Sequence, residues 1–526
     1  RLRILIAFPL VFLVLLALHF PYLRLPYYWD EAGYYIPAAF DFFRHGLLIP
    51  KSTLPTGHTP LVMVYVGIVW RLFGFSELAT RAAMVLVASA AVLVTYALGR
   101  RVASRETGIW AAALLALSPL FYAQSSLVFL DLTAALFTTL ALLCVLEGRW
   151  KTFAAAASLA VLSKETAVVL LLAIWLYLWF RRKESRRRVW AYSVLPVIPL
   201  AAWAVFYHSR TGFWTGNATY LQYNLYSAIT PLHILRSLIA RLGEVFFQGF
   251  NWLVVLGAAA GIRYSRKRGD DVEGAARGDF LFLALALIAV YVLMLSVVGG
   301  AILPRYMLPV FPVFYVLAVS YIQKLPRRSA RALCLVVVAC FALAWRINPP
   351  YPFPYEDNVS YADFIRLHQR AAHYLESLPG NPVILTAWPA TDELKTPFLG
   401  YVSRPLPVAA VTDFARGSFS KPPRFDVLYL YSRQWSPRWN LLTAFGPFRT
   451  FRQRFYDAPP QADPAKLAAR FHLEFLQEFT SRGQWVRLYA SERFVSALAG
   501  TEISSKTAHS VGAGPAARTL NSDAPR

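Results

Sequence analysis

The sequence has few charged residues and very few cysteines. Only 16 % of its 526 residues are charged and 57 % are hydrophobic, and the mean hydropathy of +0.43 is too high for an ordinary soluble protein. The three cysteines, Cys144, Cys334 and Cys340, all lie in apolar stretches, which excludes a disulfide framework and a Cys-rich metal site. No histidine pair has metal-ligand spacing, so the sequence requires no cofactor and indicates no metal, although a divalent metal stays open.

Acidic residues are scarce as well. Asp and Glu number 29 against 53 Lys and Arg, which gives a formal net charge of +24. In a soluble protein this excess would suggest nucleic acid. Here the basic residues cluster between apolar runs, as in cytoplasmic loops that face anionic lipid, and no basic stripe with interleaved aromatics lies elsewhere. We therefore expect membrane lipids as partners and no nucleic acid.

Long apolar runs predict a polytopic α-helical membrane protein with eleven spans, since a spanning helix needs about 20 apolar residues. No small-residue cleavage site follows the first run, so we expect an uncleaved first span with a cytoplasmic N-terminus. The predicted spans are 4–20, 80–98, 107–122, 131–147, 152–163, 167–180, 189–207, 245–262, 280–298, 305–322 and 332–346. With this count the basic loops all fall on one side, which the positive-inside bias makes cytoplasmic.

Two segments decide which loops face outward. Residues 60–73 are apolar but short, which suits a helix in the membrane interface. The apolar run over 152–180 is interrupted at 163–166, and two short spans with a tight turn preserve the charge rule. The predicted first outer loop, 21–79, then contains two interfacial helices.

The composition changes after residue 346. Residues 347–360 are Pro-rich and predict a linker. Residues 361–498 combine a helical pattern at 361–378 with the β-rich runs PVILTAW and FDVLYLY, which predicts a small α/β domain on the extracytoplasmic face. Residues 499–526 lack periodicity and predict a disordered tail.

An acidic pair, Asp30 and Glu31, stands in the first outer loop within the stretch WDEAGYY. It opens an amphipathic helical pattern, so both carboxylates could cap a helix N-terminus. A carboxylate at the mouth of a membrane cavity can also act as a base or bind a cation. The two interpretations are compatible, and the residues alone leave both open.

Further charged residues map to the same predicted face. Asp131 begins a span, where an unpaired charge is costly unless it caps the helix toward water. Lys164 and Glu165 could neutralise each other, or Lys164 could attract a phosphate. Arg305 could extend to the interface or offer its planar guanidinium to phosphate oxygens. His58 could be a loop histidine without a partner.

Several motifs together resemble a known family. These are WDEAGYY with the later GHTPL, LDLTAALFTTLAL, LSKETAVVLL and LPRYMLPVFPVFYVLA. Over about 1–346 the chain resembles the GT-C membrane glycosyltransferases, in particular bacterial relatives of protein O-mannosyltransferases and aminoarabinose lipid A transferases. The motif GHTPL has Thr59 where relatives carry proline, so the role of His58 stays open.

The resemblance implies a hexosyl- or pentosyltransferase in the bacterial inner membrane that moves a sugar from a polyprenyl-phosphate donor to a lipid, polysaccharide or protein acceptor. For five candidate residues the resemblance implies a role. Asp30 looks like the base, Glu31 like its catalytic neighbour in the acidic motif, Asp131 like the second acidic position of the catalytic site, and Arg305 and Lys164 like donor-phosphate ligands. The further candidates for substrate binding are His58, Glu165 and Tyr306.

The chemistry is consistent with this expectation. A lipid-linked phosphosugar needs cations for the phosphate leaving group and a carboxylate for the acceptor's proton. The sequence has no GxxxxGK[ST] or GxGxxG motif, so no nucleotide-binding loop is predicted. The alternatives are a secondary transporter or a lipid flippase, in which the same charges would line a transport path.

Overall fold

The computed structural model describes residues 2–217, 230–269, 275–298, 300–414, 423–435, 446 and 462–498. Within them an α-helical part is followed by a small α/β domain. The predicted disordered tail lies outside the described residues.

Helices form most of the first part, as the long apolar runs predict. In chain order they are α1 (Leu2–His19), α2 (Ile36–His45), α3 (Leu61–Phe73), α4 (Glu77–Val102), α5 (Arg105–Leu117), α6 (Pro119–Gln124), α7 (Leu130–Leu146), α8 (Trp150–Ser163), α9 (Val169–Leu176), α10 (Arg187–Val194), α11 (Val197–Thr211), α12 (Pro231–Phe246), α13 (Asn251–Lys267), α14 (Ala275–Val298), α15 (Phe311–Ile322) and α16 (Arg327–Ala344). Short 3₁₀ or π turns join several of them, including Glu31–Tyr35, Glu165–Val168 and Pro304–Val310.

Several helices can cross a membrane by length and composition. Among the described residues four segments do so, namely Glu77–Val102, Arg187–Thr211, Arg277–Val298 and Pro304–Ile322, and a fifth span arises if α12 and α13 count as one span bent by 41°. The chain is therefore a multi-pass membrane protein. Eleven spans and the side that each loop faces stay predictions.

Two predicted spans differ from the observed helices. The segment 107–122 breaks where Ser118 leaves the helix with ψ of 137° and Pro119 starts α6, because proline cannot donate the hydrogen bond that would continue α5. The segment 245–262 begins inside a bend, where Gly249 and Phe250 adopt φ of 57° and 67°. These left-handed conformations are incompatible with a continuous α-helix.

The segment 21–79, predicted to be the first outer loop, contains the two predicted helices, α2 and α3. They pack closely because Gly67 of α3 has no side chain, and a Cβ there would lie 2.6 Å from the ring of Phe42 on α2. Their location in the membrane interface stays a prediction.

The C-terminal domain is the predicted α/β unit. Its strands are β1 (Ile384–Ala387), β2 (Val408–Val411), β3 (Val427–Tyr431), β4 (Leu473–Ser481) and β5 (Gln484–Ser491), and its helices are α17 (Ser360–Ser377), α18 (Ala390–Lys395) and α19 (Pro464–Arg470). The sheet order is β2-β1-β3-β5-β4, in which β1 pairs in parallel with β2 and β3 while β5 is antiparallel to β3 and β4. The β-rich runs form β1 and β3, and the helical pattern forms α17.

This domain packs directly on the acidic segment of the first outer loop. The Tyr401 hydroxyl donates to the Tyr27 carbonyl at 2.9 Å, and the rings of Phe398 and Phe40 stack at 4.4 Å. Within the Pro-rich residues 347–360, Phe353 and Glu356 are buried, and Glu356 pairs with Arg305. The domain thus helps to position residues 27–35.

Candidate active site

A single arginine joins the first outer loop to the segment after α16. The Arg305 guanidinium is 2 % exposed and donates through Nη2 to Asp30 Oδ2 and through Nη1 to Glu356 Oε2, the latter at 3.2 Å. Arg305 therefore does not extend to the interface. It lies between two carboxylates that are far apart in the sequence.

Asp30 does not cap a helix with its side chain. It occupies the N-cap position of the π turn Glu31–Tyr35, but its carboxylate accepts no capping hydrogen bond and pairs with Arg305. Trp29 before it has φ of 49°, a rare conformation for a residue with a side chain. The side chain of Asp30 is 17 % exposed, so an incoming molecule can reach it.

Glu31 has a different environment, in which both of its oxygens are occupied. The carboxylate is fully buried and pairs with Arg81 of α4 at 2.5 and 3.1 Å. It also accepts from the backbone N–H groups of Tyr28 and Val128 at 2.8 and 2.5 Å. Arg81 in turn donates to the carbonyls of Pro26 and Ser126, so the pair links the acidic segment to α4 and to the loop before α7.

Asp131 and Lys164 form a second buried pair. Lys164 Nζ donates to Asp131 Oδ1 at 2.6 Å, and both side chains are at most 8 % exposed. Asp131 lies in the first turn of α7 but is not its N-cap, which is Phe129. Lys164 also lies 3.9 Å from the centre of the Tyr306 ring.

Glu165 contacts His58 instead of Lys164. His58 Nδ1 lies 3.0 Å from the Glu165 carboxylate, so His58 is not a loop histidine without a partner. The two residues of the turn after α8 thus bind different groups. Lys164 faces Asp131, and Glu165 holds the first outer loop through His58.

Three cations surround the Tyr306 ring. Besides Lys164, the guanidinium carbons of Arg305 and Arg241 lie 5.4 and 5.9 Å from the ring centre. Arg241 of α12 is fully buried and lies 3.5 Å from Glu244. Among the described residues, Nε of Arg305 and both Nε and Nη1 of Arg241 have no hydrogen-bond partner. Buried donors without acceptors near several cations are suited to an anion.

Sequence reasoning did not identify four of these residues: Arg81, Arg241, Glu244 and Glu356. A signal exists for Arg81, because it is a charge within the apolar run of α4, whereas α12 contains Arg236 besides Arg241 and Glu244. Glu356 lies in a Pro-rich segment whose composition predicts only a linker. Its burial depends on contacts from distant parts of the chain.

Desolvation raises the pKa of two acids in the Pro-rich segment, Glu356 and Asp357. Burial raises the pKa of Glu356 to about 7, although the charge of Arg305 acts in the opposite direction. Desolvation also raises the pKa of Asp357 well above its usual range, and the neighbouring Glu356 adds to this. Both acids are therefore able to hold a proton near neutral pH.

Comparisons with known proteins were consistent with the motifs. A family model described as dolichyl-phosphate-mannose-protein mannosyltransferase matches residues 57–208, a range that includes His58, Asp131, Lys164 and Glu165. No curated protein matches the chain in sequence.

Solved structures are similar in fold. ArnT from Cupriavidus metallidurans in the apo state gives a TM-score of 0.55 at 16 % identity over 92 % of this chain and 97 % of that one. The same protein bound to undecaprenyl phosphate gives 0.51 at 19 % identity over 70 % and 72 %. The chain has an ArnT-like fold. The predicted resemblance to the GT-C membrane glycosyltransferases is thereby confirmed.

The oligosaccharyltransferase AglB from Archaeoglobus fulgidus, in complex with an inhibitory peptide and a dolichol-phosphate, is also similar. It gives a TM-score of 0.44 at 15 % identity, over 90 % of this chain and 71 % of that one.

Beside the charged cluster, the ArnT-like fold contains a cavity of about 380 Å³ at the bend between α12 and α13. Seven aromatic residues are among those that line it, and the lining also includes Glu244, Asp357 and Pro304, the residue before Arg305. Within the described residues, no group of three or more His, Cys, Asp or Glu side chains could hold a metal ion.

Proposed function

We propose that this protein is an integral-membrane glycosyltransferase. It moves a sugar from a polyprenyl-phosphate donor to an acceptor on the extracytoplasmic face, with inversion at the anomeric carbon. The observation that carries the proposal is the contact between Asp30 and Arg305, which are 275 residues apart in the sequence. It places a partly exposed carboxylate beside a buried guanidinium. The family match to 57–208 and the ArnT-like fold support it, as does the undecaprenyl phosphate bound to ArnT.

Arg305 and Lys164 bind the donor phosphate. Their positive charges stabilise the negative charge that develops on the leaving phosphate as the bond to the sugar breaks. In the described part of the chain Arg305 Nε has no hydrogen-bond partner, and Lys164 and Arg305 both lie near the Tyr306 ring. Asp131 holds Lys164 in place through their 2.6 Å ion pair.

Asp30 is the base. With the donor phosphate bound beside it, the partly exposed Asp30 carboxylate accepts the proton of an acceptor hydroxyl. The hydroxyl oxygen forms the new bond to the anomeric carbon while the bond to the phosphate oxygen breaks, and polyprenyl phosphate leaves with the electron pair. One displacement gives inversion. Glu31 positions Asp30, and His58, Glu165 and Tyr306 contact the sugar or the acceptor.

Release of polyprenyl phosphate tests this proposal. Purified protein in lipid vesicles is given polyprenyl-phosphate forms of mannose, glucose, galactose and aminoarabinose, together with candidate lipid, polysaccharide and protein acceptors. We expect one donor to be consumed and Asp30→Asn and Arg305→Ala each to slow release by at least about 100-fold.

Exposed ion pairs outside the candidate active site supply the matched controls. Asp279→Asn removes a carboxylate paired with Arg181, and Arg331→Ala removes an arginine paired with Glu106. Both should retain wild-type release. If no donor is bound or consumed, the glycosyltransferase proposal is wrong, and transport or lipid flipping in vesicles becomes the next measurement.

A further inference from the structure

Arg305 has more anionic partners than it can keep when a donor phosphate binds to it. It already pairs with Asp30 and Glu356, and its guanidinium is only 2 % exposed. A donor phosphate adds another negative charge to the same guanidinium. Like charges this close in a buried site destabilise one another strongly, so one carboxylate must yield.

Glu356 is the carboxylate that the phosphate can displace from Arg305. Its bond to Arg305 is 3.2 Å long, and its second oxygen, Oε1, has no hydrogen-bond partner among the described residues. The side chain is 4 % exposed, so it cannot turn into water. A buried carboxylate that loses its cation becomes neutral by taking up a proton.

The backbone of Glu356 is held in place from two sides. Its carbonyl accepts from the Gln124 side chain of α6 at 3.2 Å, and its neighbour Tyr355 donates to Ser432 at the end of β3 at 2.9 Å. The C-terminal domain and the membrane part therefore both fix this residue beside Arg305.

Resting on the proposed function, we propose that Glu356 is a displaceable counter-ion of Arg305: the donor phosphate takes the position of its carboxylate on the guanidinium, and Glu356 takes up one proton from solvent. The protonated acid then has an O–H group that can donate to a phosphate oxygen. Glu356 thus changes from a competitor of the phosphate into a ligand.

The sign of the pH dependence follows from the groups around Glu356. Those facing it are Arg305, Asp30, Glu31, Asp131, Tyr28, Tyr355 and Asp357. Arg305 favours its ionised form, whereas burial and the acids favour its neutral form, and together they raise its pKa to about 7. Below that pH the proton is already present and the phosphate binds without competition. Above it, each pH unit should weaken binding by about tenfold if one proton is taken up.

The probe is a polyprenyl methyl phosphodiester, which carries one negative charge throughout the range and cannot be turned over. A phosphate monoester is unsuitable because its own second ionisation lies near pH 6. Binding to the full chain in vesicles is measured between about pH 6 and about pH 8, with calorimetry in two buffers to count protons. We expect uptake to approach one proton per probe at the high end.

Three variants separate this role from a structural one. Glu356→Gln should remove the pH dependence and the proton uptake, and should bind the probe about tenfold more tightly than wild type at about pH 8. Glu356→Asp should keep a pH dependence because it keeps a carboxylate. Asp357→Asn should also keep it, since Asp357 makes no bond to Arg305.

The outcomes distinguish two failures. If wild type binds the probe equally at all pH values, or if Glu356→Gln keeps the pH dependence or binds more weakly throughout, this inference is wrong while the donor proposal stands. If wild type binds the probe at no pH, the proposed donor chemistry fails and the inference fails with it.

Discussion

At the scale of residues, the acidic pair of the first outer loop divides into two environments. Asp30 is partly exposed, and within the described residues its carboxylate makes one hydrogen bond, to Arg305. Glu31 is fully buried and both of its oxygens are satisfied by Arg81 and two backbone amides. A group with all acceptor positions filled cannot approach a substrate without losing those bonds. The two neighbours therefore require different tests.

Glu31→Gln should destabilise the protein more than it changes the chemistry. The substitution leaves the Arg81 guanidinium buried without a counter-charge, which costs about 3–5 kcal/mol for a pair of this kind. Asp30→Asn is the matched control, because the side chain of Asp30 is partly exposed. This substitution should leave the unfolding temperature nearly unchanged while slowing turnover by at least about 100-fold. Equal thermal stability of the two variants would contradict this division of roles.

At the scale of elements, helices were more predictable than the contacts between them. The apolar runs correctly predicted α3, α4, α7 and α8, because each element's own residues carry its pattern. The β-hairpin of β4 and β5 has a tight turn at 482–483. The sequence patterns predicted only a small α/β domain and did not identify this hairpin.

The candidate site was predictable only in part, for a related reason. Asp30, Lys164 and Arg305 interrupt apolar surroundings, so each stands out locally in the sequence. Nothing in the residues near Glu356 shows that it reaches Arg305, because that contact depends on how the chain returns to the membrane part after α16. The tertiary structure decides which residue pairs with a given charged side chain.

The turn after α8 and the start of α7 should act as one unit through Lys164 and Asp131. Lys164→Gln should lower kcat/KM for the donor by about 100-fold or more, since it removes a cation beside the leaving phosphate. Asp131→Asn should lower it through loss of Lys164 positioning. The double variant should then be no slower than the worse single variant, because both changes remove the same interaction. Multiplicative losses in steady-state kinetics would show that Asp131 acts independently, as a second catalytic acid.

At the scale of the whole molecule, the C-terminal domain is a structural part of the site. Trp388, which follows β1, contacts the rings of Trp29 and Tyr34 at centre-to-centre distances of 5.4 and 5.6 Å. These residues flank the acidic pair. Domain docking and the position of Asp30 are therefore coupled, and a change at the interface should reach the chemistry.

Gly33→Ala tests this coupling, because a Cβ at position 33 would lie 2.6 Å from Nε1 of Trp388. Relieving the overlap requires the indole to move, at a cost of about 1–3 kcal/mol for overpacking of this kind. We expect a lower unfolding temperature, faster release of the C-terminal domain by limited proteolysis, and slower turnover. Gly243→Ala is the control, since among the described residues no heavy atom outside its own helix lies within 4 Å of the added methyl group. Adding Trp388→Ala to Gly33→Ala should restore part of the thermal stability. If Gly33→Ala behaves like the control, the indole moves freely and the domain does not set the position of the acidic segment.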